Sequence, residues 1–288
     1  MTELGMSATH KFWFGLSRAA GGALLFSLPM LLTMEMWWLG FTMPAARMAV
    51  LLAVSLPTLM GLAYYSGFEK PQGFLGILVD ALVAYCVGIG VASCVLAITA
   101  IIRSSDTRWS EGIGKVIIQT IPASFGAVLA SSQLGTHDDP AEDKQADSSD
   151  HRDAHNDLGC YFRELFLMFA GAIFLAFNVA PTEEMLVTAL KMTAWHGILM
   201  GLFSLVVMHA FVFVVKFRGQ ETVPHETRQL SVFLRFTIPG YAIALLVSMF
   251  CLWVFGRSES TAFDQTMMAT VVLAMPASVG AASARLIL

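Results

Sequence analysis

The chain has 288 residues, of which 56% are hydrophobic and 13% charged, and its mean hydropathy is +0.68. Soluble domains carry roughly 25% charged residues, so this chain has too few charges to cover a water-exposed surface. Its formal net charge of −4 comes from an acidic stretch at 137–157, and the remainder is slightly positive. The composition excludes a nucleic-acid-binding protein and a soluble enzyme, and it predicts a lipid bilayer as the partner of this chain.

Motifs for metals, cofactors and catalysis do not occur in the sequence. The 4 cysteines are too few for a disulfide scaffold, and most lie within apolar runs as small hydrophobic residues do. The sequence contains no CxxC, HExxH, GxSxG, P-loop or GxGxxG pattern. We therefore expect no metal, no cofactor and no enzymatic activity.

Eight apolar windows are long enough to cross a membrane as helices, which takes roughly 20 residues for about 30 Å of hydrocarbon. Lys115 and Gln119 interrupt the fourth window, which makes it the weakest of the set. The fold class predicted is all-α, a polytopic membrane protein with eight transmembrane helices. The windows are 18–40, 44–66, 73–102, 108–134, 161–185, 192–216, 233–256 and 263–286.

An even number of spans places both termini on one side of the membrane, and the loops on that side hold eleven of the 17 Lys and Arg residues. The positive-inside rule then predicts cytoplasmic termini. The acidic segment 135–160 becomes a cytoplasmic, disordered linker. A solvated tether is favoured there over a metal or partner site built from His137, His151 and His155.

The sequence repeats itself across the two halves of the chain. RSSDT at 103–107 and IPASFGA at 121–127 align without a gap on RSEST at 257–261 and MPASVGA at 275–281, at an offset of 154 residues. Near the start of each half, Gly22 and TMEM at 33–36 align on Gly171 and TEEM at 182–185, at an offset of 149 residues.

This pattern predicts an internal duplication. The first four-helix repeat would occupy 1–134 and the second 161–288. Because each repeat has an even number of spans, both enter from the same side, and the repeats would be parallel, related by a pseudo-two-fold axis along the membrane normal. Inverted-repeat transporter folds need an odd count and are disfavoured.

Glu35 and its aligned residue Glu184, with Glu183 beside it, are the main ion-binding candidates. A charged group at mid-membrane costs about 2.5–3.5 kcal/mol and therefore needs a partner or a purpose. Two glutamates at one depth could share a cation or a proton. The alternative is that Trp37 and Trp38 mark an interfacial belt, and Glu35 is simply wet.

Prolines and polar residues coincide in the first and fifth spans, where Pro29 aligns on Asn178 and Pro181 follows. A proline frees a backbone carbonyl, which membranes tolerate only when protein buries it or a cavity hydrates it. A hydrated cleft for a cation or proton and a plain packing kink both remain open. Thr33 and Thr182 beside these positions complete the candidate ligands.

The two PASxGA segments place Pro122 and Pro276 inside helices as kink candidates, each followed by small residues. Small residues four apart let helix backbones approach closely in lipid, so we expect the fourth and eighth spans to meet near the axis. The hydroxyls of Ser124 and Ser278 could line a path there.

Two further features concern polar residues inside the spans. Asp80 and Arg235 could form an ion pair between the halves or could each extend to the interface. His196 and His209, near opposite ends of one span, are expected to be hydrogen-bonded core residues.

The segments RAAGGALLFSLP at 18–29 and TMEMWW at 33–38 resemble a family of uncharacterised bacterial integral membrane proteins of unassigned function. The resemblance covers most of the chain apart from the acidic linker. It implies a bacterial cytoplasmic membrane location and carries over no functional residue.

From the residues, the favoured function is a transporter or channel that passes an inorganic cation or protons through a site between the two repeats. The alternative is a non-transporting membrane protein that assembles with or regulates a partner through the acidic linker. Deleting 137–157 separates them, because a transporter should tolerate the loss of a tether. Ion identity, direction and oligomeric state are not readable from the residues.

Overall fold

The computed structural model describes residues 8–66, 73–102, 108–133, 154–214, 233–259 and 261–287. These residues are helical and contain no strand, which confirms the predicted all-α class. We call α1–α5 the first half and α6–α10 the second half. The helices are α1 Ala8–Leu31, α2 Met34–Thr42, α3 Ala45–Ser66, α4 Phe74–Ile98, α5 Trp109–Gln133, α6 Ala154–Val179, α7 Glu183–Lys191, α8 Ala194–Val214, α9 Ile238–Val254 with a π-helical turn Phe233–Thr237 before it, and α10 Phe263–Ile287.

Seven of the described helices are long and apolar enough to cross a membrane, and the count becomes eight when the bent pair α1 and α2 is taken as one span. The protein is therefore a polytopic membrane protein. The predicted spans 18–40 and 161–185 are present, but neither helix is continuous to its predicted end. The long helix ends at Leu31 in one case and at Val179 in the other, and a helix of 9 residues follows each.

Local backbone chemistry explains both breaks. Thr33 is extended, with φ −92° and ψ 130°, and α2 turns away from α1 by 86°. In the second half, Pro181 has no N–H to donate and disfavours helical geometry at the residue before it, so α6 cannot continue. Thr182 is extended there as well, with φ −71° and ψ 145°.

The weakest predicted span is the most buried helix of the described chain. In α5, 72% of the Trp109–Ala130 window is buried, against 11% of the Ala194–Phe211 window in α8. Helix α5 packs against α1, α2, α3 and α4, while α8 exposes Leu202 and Val206 as a lipid-facing helix does. The polar residues that weakened the fourth span therefore lie in a protein interior.

Glycines set the closest helix crossings. A Cβ on Gly22 of α1 would overlap Ala130 and lie 2.6 Å from the carbonyl oxygen of Gly126 on α5. A Cβ on Gly171 of α6 would overlap the carbonyl oxygen of Gly280 on α10. The sequence alignment pairs Gly22 with Gly171 and Gly126 with Gly280, so aligned glycines make corresponding contacts. The duplication stays a prediction, and these matched crossings are an observation in its favour.

The small residues of the PASxGA segments pack within each half. Those of α5 contact α1, and those of α10 contact α6, because these crossings bring glycine backbones together. These residues therefore do not form the expected contact between the fourth and eighth spans, although residues of α5 and α10 line one cavity between the halves. Both helices are continuous through Pro122 and Pro276.

The acidic segment is shorter than predicted on its C-terminal side, because α6 begins at Ala154, inside the 135–160 range. Residues 134–153 lie outside the described part of the chain, and so do the predictions for His137 and His151.

Candidate functional site

The break after α1 gathers polar groups around two backbone carbonyls. The Met30 carbonyl accepts hydrogen bonds from the side-chain amide of Gln119 at 2.9 Å and from the hydroxyl of Thr33 at 2.8 Å. The Leu31 carbonyl accepts one from the indole N–H of Trp37 at 2.8 Å. A helix end inside a membrane must have its carbonyls paired, and three side chains do this here.

Gln119 connects this break to the centre of α5. It lies about 15 Å along the helix axis from Trp109, at 1.5 Å per residue, near the middle of a span that crosses about 30 Å of hydrocarbon. The residue is 0% exposed, and its amide oxygen Oε1 has no hydrogen-bond partner. A buried carbonyl oxygen without a donor costs about 1–3 kcal/mol, so this atom is a candidate ligand for a cation or a water molecule.

Helix α2 packs against the N-terminal part of α5. Its Gly40 lies against the backbone of Lys115, and a Cβ there would come within 2.6 Å of the Lys115 Cα. The ammonium of Lys115 lies 5.6 Å from the centre of the Phe41 ring. This cation-π contact joins the charged side chain of Lys115, on α5, to an aromatic ring of α2.

Glu35 lies in the first turn of α2, two residues after Thr33, and is partly exposed. A carboxylate there is stabilised by the N-terminal end of the helix dipole. In the described part of the chain its carboxylate makes no hydrogen bond or ion pair, with Glu184 or with any other residue. The structure thus places Glu35 at the mouth of the break and not in the middle of a continuous span.

The break after α6 is built in a similar way. Thr182 donates to the Val179 carbonyl at 2.8 Å, the same bond that Thr33 makes in the first half. Asn178 donates to the Phe174 carbonyl at 2.8 Å, one turn back on its own helix. Glu183 and Glu184 are exposed in the first turn of α7.

The two breaks differ in what covers their carbonyls. In the second half the guanidinium of Arg257 donates to the Pro181 carbonyl. The residues that align with Gln119 and Trp37 are Leu273 and Leu186, which have no donor to offer. A neutral amide therefore donates to a carbonyl at the first break, whereas a positively charged guanidinium donates to a carbonyl at the second.

The serines of the PASxGA segments are buried and bond carbonyls of their own helices, and their role in lining a path stays a prediction. Ser124 is 0% exposed and donates to the Thr120 carbonyl at 2.7 Å, and Ser278 is 0% exposed and donates to the Met275 carbonyl at 2.8 Å. Hydroxyls in helices often bond the carbonyl a turn earlier, which here removes their donors from any ligand.

Both histidines are hydrogen-bonded, but neither is the core residue that was predicted, since His196 is exposed and His209 is half-buried. His196 accepts or donates at 2.7 Å with the hydroxyl of Thr193, just before α8, and His209 pairs with the buried Thr237 at 3.0 Å. Arg235, in the π-helical turn, lies 5.3 Å from the centre of the Tyr161 ring. Its ion pair with Asp80 stays a prediction.

The halves meet across an apolar cavity of about 290 Å³. Phe26 and Leu129 line it from the first half, Phe174 and Gly280 from the second, and Ser283 supplies its one hydroxyl. Near the start of α3, Arg47 forms an ion pair with Glu259 of the second half. A cavity so poor in polar atoms offers little to a charged ligand.

The prolines predicted a kink or a cleft near each break, but the sequence analysis did not predict the breaks themselves or the roles of Gln119, Arg257 and Trp37. The available signal for Gln119 was an amide side chain in the middle of an apolar window, which was interpreted as a weakness of that span. Arg257 begins the repeated RSEST segment, but nothing in the sequence indicated its contact with Pro181, because it lies in the short loop between α9 and α10.

A family model matches residues 15–288, and its description is "Putative integral membrane protein (DUF2391)". The chain belongs to this family. The match covers α2 to α10 and most of α1, and it agrees with the resemblance drawn from the opening of the first span. Comparison with curated proteins finds no match, and comparison with solved structures finds none.

Proposed function

We propose that this protein carries an inorganic cation or protons across the bacterial cytoplasmic membrane, and that it is a carrier or channel, not an enzyme. The observation that supports this most is the break after α1, where the buried amide of Gln119 bonds the Met30 carbonyl and its own oxygen is left without a hydrogen-bond partner, near the middle of the apolar helix α5. Discontinuous helices of this kind form the ion sites of many transporters, because unwound carbonyls and half-helix ends offer partial charges.

The breaks are better ion sites than the contact between the halves. The cavity there is lined by aromatic, aliphatic and glycine residues, with the hydroxyl of Ser283 as its polar group. An ion that left water for such a cavity would lose its hydration without replacement. The proposal therefore places the ion at a helix break, within a half, and not between the repeats.

Glu35 and Glu184 occupy equivalent positions after the two breaks. Each lies in the first turn of the short helix that follows a break, and each is at least partly exposed. A carboxylate at that position attracts cations toward the break from the aqueous side.

The test is ion flux into proteoliposomes that contain the purified full chain. Replacing Glu35 and Glu184 together by glutamine should slow uptake about tenfold or more, since a loss of 1.36 kcal/mol of electrostatic stabilisation already changes a rate by that factor. Asp264→Asn is the matched control, because Asp264 is also an exposed carboxylate in the first turn of a membrane helix. Flux that equals that of protein-free vesicles, or that the double variant leaves unchanged, would contradict the proposal.

A further inference from the structure

We propose that the break after α1 binds an alkali-metal cation with the Oε1 atom of Gln119 as a ligand, and that the break after α6 does not, because Arg257 already supplies its positive charge. This inference rests on the proposed function and deepens it, since it names the class of ion and the half that binds it.

The ligand atoms at the first break are neutral oxygens. Gln119 Oε1 is buried without a donor, and it belongs to the same amide that holds the Met30 carbonyl. The hydroxyl of Thr33 donates a hydrogen bond to the Met30 carbonyl, so the lone pairs of its own oxygen remain available. The Leu31 carbonyl accepts from one side-chain donor, the indole of Trp37, and has two lone pairs. Amide, hydroxyl and backbone oxygens are the ligands that hard cations prefer.

The same chemistry disfavours a proton as the bound species. An amide or carbonyl oxygen does not hold a proton near neutral pH, whereas it replaces the hydration shell of an alkali cation directly. The carboxylate of Glu35 nearby supplies one negative charge, which suits a monovalent ion. Lys115, one turn before Gln119 on α5, has its ammonium over the Phe41 ring, 5.6 Å from the ring centre.

The first break lies partly at the protein surface. Thr33 and Glu35 are partly exposed, while Leu31 and Gln119 are 0% exposed. The inference requires that the exposed side of Thr33 meets water, because that is the route by which an ion would reach the buried amide.

The second break already has a positively charged side chain beside it. The guanidinium of Arg257 donates to the Pro181 carbonyl and brings a positive charge to this break. A mobile cation would be repelled there, and Leu273 stands where Gln119 stands in the first half, so an amide ligand is missing from that position. The two breaks are therefore alike in backbone shape and opposite in their affinity for cations.

The test is cation-dependent stability of the purified full chain, measured as the thermal unfolding midpoint in NaCl and in KCl against choline chloride at equal ionic strength. A cation that binds the folded state alone raises the midpoint with concentration, which gives an apparent dissociation constant. Gln119→Leu should weaken that constant about ten- to hundredfold, the range seen when supporting ligands of bound metals are removed. Ser124→Ala, a buried hydroxyl on the same helix, should leave it unchanged.

The outcomes separate this inference from the proposed function. Equal stabilisation of the wild type and Gln119→Leu, or no alkali dependence in a protein that still conducts protons, would overturn the inference and leave the proposed function standing. Absence of any flux would overturn the proposed function. If Gln119→Leu does not fold, Thr33→Val removes the hydroxyl ligand and must produce the same weakening.

Discussion

Gly22→Leu should unfold or strongly destabilise the protein, by about 3 kcal/mol or more, because overpacking of a backbone crossing leaves no flexible side chain to move aside. The Cβ alone would overlap Ala130 and press on the Gly126 carbonyl. A loss of van der Waals contact between α1 and α5 would follow, and in lipid that contact is the main force between helices. The measurement is the thermal midpoint and the monodisperse yield in detergent.

Gly21→Leu is the matched control, since it places the same side chain one residue away in the same helix, where a Cβ meets nothing within 4 Å. It should be neutral or slightly stabilising, because leucine is a better helix former than glycine. Gly171→Leu should reproduce the defect of Gly22→Leu in the second half. Equal stability of Gly22→Leu and Gly21→Leu would show that the α1–α5 crossing is wider than described.

Arg257→Met should cost about 1–3 kcal/mol, the penalty for leaving the Pro181 carbonyl without its donor. Methionine keeps much of the length of the arginine stem, so the loss reports on the guanidinium and not on packing. Helix α7 should become easier to unfold locally, which amide hydrogen exchange over Glu183–Lys191 can measure.

Arg108→Met serves as the control for that change, because Arg108 is an exposed arginine just before α5. It should leave both the midpoint and the exchange of α7 unchanged. If Arg257→Met behaves like Arg108→Met, the Pro181 carbonyl has another donor and the contrast between the two breaks is lost.

The features that the sequence predicted are those that depend on amino-acid composition and on the length of apolar segments. Apolar windows of about 20 residues gave the fold class, because lipid as a solvent leaves few alternatives to helices. Pro29 and Pro181 predicted perturbed helices in the first and fifth spans, since the backbone effects of proline are local. Those predictions needed no knowledge of which helix lies beside which.

The features that depend on tertiary neighbours could not be predicted in this way. Gln119 weakened its window by hydropathy, yet it lies in the most buried helix because the end of α1 needs its amide. The sequence predicted a kink in one continuous span, and Glu35 was therefore expected inside that span. The structure has an 86° turn between α1 and α2 instead, so Glu35 lies on a separate helix. The packing of α1 against α5 depends on small residues of both helices that meet at one crossing. Neither segment shows by itself which helix it will contact.

The central claim is that water and cations reach the break after α1, and a cysteine at position 33 tests it most directly. In a chain whose 4 cysteines are replaced by alanine, Thr33→Cys should react with a small water-soluble thiol reagent, and NaCl or KCl should slow the reaction relative to choline chloride. Leu246→Cys, which is 69% exposed on α9 and should face lipid, should stay unreactive because a thiolate does not form in hydrocarbon. A Thr33→Cys thiol as inert as Leu246→Cys, or one whose labelling ignores alkali cations, would contradict the account.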